Sequence, residues 1–243
     1  MDINIFLLCY NESILLPYAV GHYRKYMPNC KIHILDNESC DNSVEIAKSL
    51  NCNVISFQSG DQQNEIIMKD LRNNCWKFVN DGWVIMADMD EWLCITEEQL
   101  EEEQRNGVTV LTVEGYNVVG ESQSEILTDI NIHEINKGAF FENESKCLCF
   151  NRSCIENMNY NWGAHQCDPK PKENCAVKFS QKKYINKHME FIGLPYIIDK
   201  TKKRYLRNGY MRCIGMNGHY TQDEEIIINK YNGFYKNRVD IPL

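Results

Sequence analysis

Two patterns of apolar and polar positions follow one another along this chain. In the first, short apolar runs recur between helical stretches. Ile3 to Leu8, Lys31 to Leu35, Asn53 to Phe57 and Trp83 to Ala87 have the length and composition of buried strands. Residues 14–26, 42–50 and 62–79 have helical periodicity, and the second of these starts among cap-forming residues. Such βαβα order predicts a Rossmann-like, mostly parallel sheet with helices on both faces. Ligands of these sheets bind at the carboxyl ends of the strands. Tyr10-Asn11, Asp36 and Asp88 to Glu91 all fall at such ends.

The second pattern is mixed α+β. A helix is expected over residues 96–105, and strands over Val108 to Val113, Ala139 to Phe141 and Lys146 to Asn151. Residues 153–175, rich in Asn, Cys and Pro, read as a long loop. Pro195 suits the first turn of a helix running to about Arg207, and a last helix covers Asp223 to Tyr235. The expectation is one α/β domain over residues 1–243, with a nucleotide-binding half to Trp92 and an acceptor-binding half from residue 93.

Composition narrows the class. At 243 residues with 43% hydrophobic and 25% charged content, the chain can bury an ordinary globular core. No apolar run approaches the roughly 18 residues of a membrane span. The start Met-Asp-Ile-Asn lacks the basic head of a signal peptide, so a reducing, cytoplasmic setting is expected. The 12 cysteines then read as free thiols. Cys147, Cys149, Cys154, Cys167 and Cys175 lack the C-x₂-C pairing typical of structural zinc. The sequons at Asn11, Asn37, Asn143 and Asn151 would matter only in a secreted protein. A net charge of −8 argues against a nucleic-acid binder. Yet Lys200, Lys202, Lys203, Arg204, Arg207 and Arg212 form a basic cluster suited to an anionic small molecule, or simply a solvated helix face.

The densest chemistry lies in Trp83-Val-Ile-Met-Ala-Asp-Met-Asp-Glu-Trp92. Asp88 and Asp90 project to one side, because side chains on a strand repeat every two residues. Two carboxylates so placed suit Mg²⁺ or Mn²⁺, with positions left for phosphate and water. The competing reading is an acidic turn that caps a following helix.

Taken with Leu8-Cys-Tyr-Asn-Glu12, Leu35-Asp-Asn-Glu-Ser39, Arg72-Asn-Asn-Cys-Trp-Lys77, Gly163-Ala-His165, Lys187-His188-Met-Glu-Phe191 and Gly218-His-Tyr220, this run resembles the family-2-like glycosyltransferases of GT-A fold. Many of these build surface or capsular glycans. The likeness touches most of the chain in order, departing where relatives often have His-Tyr and this chain has His188-Met189.

The resemblance implies a metal-dependent enzyme that moves a sugar from a nucleotide-diphosphate sugar, UDP-linked by preference, to a carbohydrate acceptor. Asp36 would accept from uracil N3–H or a ribose hydroxyl, with Tyr10 and Asn11 beside the base. Arg72, Lys200 and Arg204 would meet the diphosphate, since a guanidinium clasps phosphate bidentately. Asp88 would bind ribose or a metal-bound water. Asp90 would ligate Mn²⁺ or Mg²⁺, with His188 or His219 supplying a further ligand. Trp162 would stack on a sugar, and His165 or Glu91 would take the acceptor proton. Two other classes compete. A sugar-nucleotide nucleotidyltransferase needs a Gly-rich loop after the first strand, where this chain has Cys9-Tyr-Asn-Glu-Ser13. A non-catalytic glycan- or nucleotide-sugar-binding module would have no need of the paired aspartates.

Overall fold

A computed structural model describes residues 1–123, 127, 130–216 and 218–243. The chain opens with β1 (Ile3–Cys9), α1 (Leu16–Tyr26), β2 (Lys31–Asp36), α2 (Ser43–Ser49), β3 (Asn53–Ser56), α3 (Glu65–Asn74) and β4 (Trp83–Asp88). All seven residues of β1 are buried, and they divide by parity. Ile3, Ile5 and Leu7 pack in one core with Leu16, Ala19 and Val20 of α1 and Ala47 of α2. Phe6 and Leu8 face a second core with Trp76 and with Met68 and Leu71 of α3. Helices therefore cover both faces, and each fully buried Leu, Ile or Phe contributes about 1.5–3 kcal/mol.

The strands run parallel in the order β3-β2-β1-β4. Their register aligns Cys9 with Asp36 and Leu8 with Asp88, so three carboxyl ends finish on one edge. This is the α/β arrangement expected for the first half.

The chain continues through β5 (Glu91–Cys94), α4 (Glu97–Arg105), β6 (Val110–Val119), β7 (Lys137–Phe140), β8 (Cys149–Asn151), β9 (Ile155–Asn157), β10 (Lys170–Pro171) and β11 (Phe179–Phe191). It then forms α5 (Leu194–Arg207), α6 (Gly209–Cys213), α7 (Glu224–Lys236) and β12 (Val239–Asp240). Short β8 lies antiparallel to both β4 and β6 and carries the sheet onward to β7 and β12. The long β11 runs parallel to β6 and holds β5 on its other side. A third core of Val119, Phe191, Ile197, Ile227 and Tyr231 fixes α5 and α7 to the ends of β6 and β11. α5 thereby reaches the same edge as β1 and β4.

Three expectations are corrected. The span 153–175 is not one loop: it holds the β9–β10 ribbon and a short turn at Trp162–Ala164. The helix expected over 62–79 spans only Glu65–Asn74: the Asn64 side chain accepts from the amides of Ile66 and Ile67 and starts α3 there, and residues 75–78 follow it as turns. The 13-residue strand β11 had no counterpart in the expected elements. Among the described residues no helix is long and apolar enough to cross a membrane.

Candidate active site

The loop after β1 leaves the sheet through Asn11, whose φ of 52° is the left-handed conformation that Asn tolerates. Its amide donates to Ser39 Oγ at 2.9 Å, and its Oδ1 accepts from the Cys40 amide at 2.8 Å. The loops after β1 and β2 are thus tied together. The Arg207 guanidinium lies 3.1 Å from the Tyr10 ring centroid, stacked on the face expected to meet a base. Asp36 turns inward: its carboxylate accepts from the Ser39 amide at 3.3 and 3.4 Å. Asn37, rather than Asp36, lines the cavity at this edge.

That cavity holds about 680 Å³. It brings together Tyr10, Asn11, Arg72, Asp88 and Asp90 from the first half, although the sequence separates them by up to 80 residues. From the second half come Trp162, His165, His188, Lys200, Arg204 and His219. Glu91 is not part of the lining. It starts β5, is 1% exposed, and lies beneath the floor with Oε2 accepting from the Asp88 amide at 3.1 Å. A group so covered cannot reach an acceptor hydroxyl, so Glu91 does not fit the role of base.

The floor is a lattice of buried charges. Asp88 Oδ1 accepts from Arg72 at 2.7 Å. Asp90 Oδ2 accepts from Lys200 at 2.8 Å and from Arg204 at 3.1 Å, with His188 Nε2 at 3.7 Å. Lys200 also reaches Glu12 at 3.0 Å, and Arg204 reaches Glu190 at 2.8 Å. Lys146 bonds Glu91, 3.6 Å from Glu144 and 3.8 Å from Asp88. Asp88 and Asp90, read as metal ligands, therefore have their charges matched by side chains of α3, α5 and the segment before β8. Burial alone would raise the Asp90 carboxyl, but Lys200, His188 and Arg204 hold it well below the ordinary range. Burial pushes Glu91 up to about 7, against the pull of Lys146.

His188 stands between Asp90 and Glu144, and its Nδ1 lies 2.7 Å from Asn117 Oδ1. Burial disfavours its proton, yet Glu144 and Asp90 push it up to about 9. Glu91, Glu144 and His188 present ligand atoms within 4.8 Å of one another, forming the candidate divalent-cation site among the described residues, where a bound cation would take the place of the His188 proton. Glu144 Oε2 is buried and accepts no hydrogen bond, as expected of an oxygen with capacity for a cation. Glu144 sits this close because Gly115 of β6 has no side chain; a Cβ there would lie 2.2 Å from the Glu144 carbonyl carbon. His219 lines the same cavity, its ring 4.1 Å from that of Tyr220, but is not in this group.

The turn Trp162–Ala164 packs on α3, and Lys69 Nζ lies 4.4 Å from the Trp162 ring centroid. His165 Nδ1 lies 2.6 Å from the Asn143 carbonyl oxygen. A carbonyl only accepts, so Nδ1 carries the proton and Nε2 keeps its lone pair. Burial and the Lys146 charge lower the His165 pKa, which favours this neutral form.

Glu12, Lys146, Glu144 and Glu190 belong to the site without having been singled out. Glu12 and Glu190 stood inside motifs already noted, whereas Lys146 and Glu144 carry no spacing signal.

No family model and no curated protein matches the chain. Solved structures do. The chain is similar to S. aureus TarS in complex with UDP, at 17% identity and TM-score 0.39, over 51% of this chain and 39% of that one. It is similar to the mannosyltransferase PcManGT from Pyrobaculum calidifontis in complex with GDP-Man and Mn²⁺, at 9% identity and TM-score 0.35, over 46% and 34%. A third is glucosyl-3-phosphoglycerate synthase from Mycobacterium tuberculosis with Mn²⁺, UDP and glucosyl-3-phosphoglycerate, at 13% identity and TM-score 0.31, over 47% and 44%. Each match spans less than half of the longer protein.

Proposed function

We propose that this chain is a metal-dependent glycosyltransferase of GT-A type that takes a nucleotide-diphosphate sugar, UDP-linked by preference. One observation carries the reading. Paired aspartates at the end of a parallel strand share a cavity with four cationic residues of α5, Lys200, Lys203, Arg204 and Arg207, and with an aromatic–imidazole turn. The cations suit a diphosphate, and the turn suits a sugar and its acceptor.

In this reading Tyr10, Asn11 and Asn37 flank the nucleoside, and Asp36 acts by bracing the Asn37–Ser39 turn. Lys200 and Arg204, already gathered on Asp90, present N–H donors to the diphosphate. Arg72 fixes Asp88 for the ribose. Glu91, Glu144 and His188 would hold a divalent cation. When bound, that cation would neutralise charge developing on the leaving nucleotide. Trp162 offers a face to a sugar ring, and neutral His165 accepts the acceptor proton at Nε2.

The test is a thermal-unfolding series with UDP, GDP and ADP, each with Mn²⁺ and with EDTA. Binding to the native state raises Tm by mass action. UDP with Mn²⁺ should give the largest rise. Equal rises for all three nucleotides would refute the uridine preference, and no rise with any would refute the transferase reading.

A further inference from the structure

Lys146 draws the acidic floor together. Its ammonium bonds Glu91 and lies 3.6 Å from Glu144 Oε2 and 3.8 Å from Asp88 Oδ2, with its side chain 7% exposed. Two of these partners, Glu91 and Glu144, are also two of the three residues whose ligand atoms cluster with His188. Glu144 Oε2 faces both Lys146 and His188 and is left without a hydrogen bond. An ammonium and a divalent cation cannot both hold these oxygens, because like charges a few ångströms apart in a buried site repel strongly. Lys146 also lines the open cavity, so an ammonium leaving Glu91 has free volume ahead of it. Its four-carbon stem and compact charge allow such a swing.

We propose that Lys146 and a divalent cation are alternative occupants of the Glu91–Glu144–His188 site. A nucleotide diphosphate decides between them by drawing the ammonium off the carboxylates and into the cavity. The diphosphate's part in this depends on the transferase reading above; the competition between Lys146 and the metal does not. Metal binding to the free protein is then weak, and it tightens when the diphosphate gives Lys146 another anion. By linkage, the metal tightens the diphosphate by the same factor.

The experiment is a Mn²⁺ titration followed by the electron paramagnetic resonance of the free ion, with and without UDP, on the wild type and on Lys146→Met. UDP should tighten Mn²⁺ on the wild type by about tenfold or more, while Lys146→Met binds Mn²⁺ that tightly without UDP. Unchanged Mn²⁺ affinity in Lys146→Met overturns the exchange. So does EDTA-insensitive UDP binding that Lys146→Met weakens, since Lys146 would then serve as a permanent substitute for the metal. If Lys146→Met does not fold, the Lys146 ammonium resonance of the wild type decides. It should move when Mg²⁺ and UDP are added together, and a fixed resonance overturns the proposal. Calorimetry of UDP alone separates the two failures. A protein that binds no UDP fails the transferase reading, whereas one that binds UDP but shows no competition fails only the exchange.

Discussion

Lys200 Nζ lies 2.8 Å from Asp90 Oδ2, across 110 residues of sequence. The bond joins the first turns of chain beyond β4 to the middle of α5, and the Lys200 side chain is only 9% exposed. Moving both charges out of water is costly, and their attraction offsets this only when further partners are present. Here they are: Arg204 and His188 on Asp90, Glu12 and Tyr196 on Lys200. The network holds α5 over the strand ends and keeps Lys200 and Arg204 charged.

Removing Lys200 should therefore damage stability more than an exposed lysine would. Lys200→Met leaves Asp90 and Glu12 buried with fewer cations, and about 3–5 kcal/mol should be lost in urea unfolding. Adding Asp90→Asn should restore part of that loss, because the stranded charge is then gone. A single-variant loss below about 1 kcal/mol, the scale of a surface pair, would contradict the network.

Arg72→Lys should be far from conservative. One guanidinium nitrogen lies 2.7 Å from Asp88 and the other 3.6 Å from Glu65, a fork that a single ammonium cannot reproduce. A loss of about 2–3 kcal/mol is expected, on the scale of a buried charge left partly unpaired, together with weaker UDP binding. Unchanged Tm and UDP affinity would show that Asp88 needs no brace.

The first half of the fold was legible because parallel strands buried on both faces are written as unbroken apolar runs, as in Ile3–Cys9 and Trp83–Asp88. The strand β11 was hidden for the opposite reason. Its last eight residues are buried, yet Asn186, Lys187, His188 and Glu190 are among them: His188 and Glu190 line the cavity, Asn186 donates to the Glu144 carbonyl, and Lys187 donates to Asn136 and the Ile135 carbonyl. Position at a strand end was readable, but the turn of the carboxylate was not. Asp36 bends back to the Ser39 amide, and Glu91 begins a new strand. Lys146 and Glu144 come into the site through the close approach to Gly115, a contact between positions about 30 residues apart that no local pattern encodes.

His22 makes stability depend on pH. It is buried in α1 with Nε2 2.9 Å from the Leu93 carbonyl oxygen and its ring 5.6 Å from that of Trp92. Burial, against the pull of the Leu93 carbonyl, lowers its pKa to about 4. An unfolded histidine titrates near 6.5, so between those values the unfolded chain binds the extra proton. Stability is then fully present above about pH 6.5 and is lost as pH falls toward 4, by about 3 kcal/mol in all. His22→Gln keeps a donor but does not titrate. Urea unfolding at pH 7 and pH 5 should show a smaller difference for this variant than for the wild type. Equal differences would mean that His22 is not the group responsible.

The turn at Gly163 tests the assignment of His165. Gly163 has φ of +59°, and a Cβ there would lie 2.7 Å from His165 Nε2 and 2.8 Å from Cδ2. Gly163→Ala must therefore shift the imidazole, while also placing alanine in a left-handed conformation that costs about 1–2 kcal/mol. If Nε2 takes the acceptor proton, His165→Ala should lower kcat by about 10²-fold, the usual scale of lost general-base catalysis. Gly163→Ala should lower kcat in the same direction by a smaller factor, with KM for the nucleotide sugar little changed because the atoms nearest an added Cβ belong to His165. Steady-state rates of both variants, read beside their Tm values, separate misplacement from unfolding. Two folded variants with wild-type kcat would remove His165 from the reaction and leave the Trp162–Ala164 turn with a purely structural part.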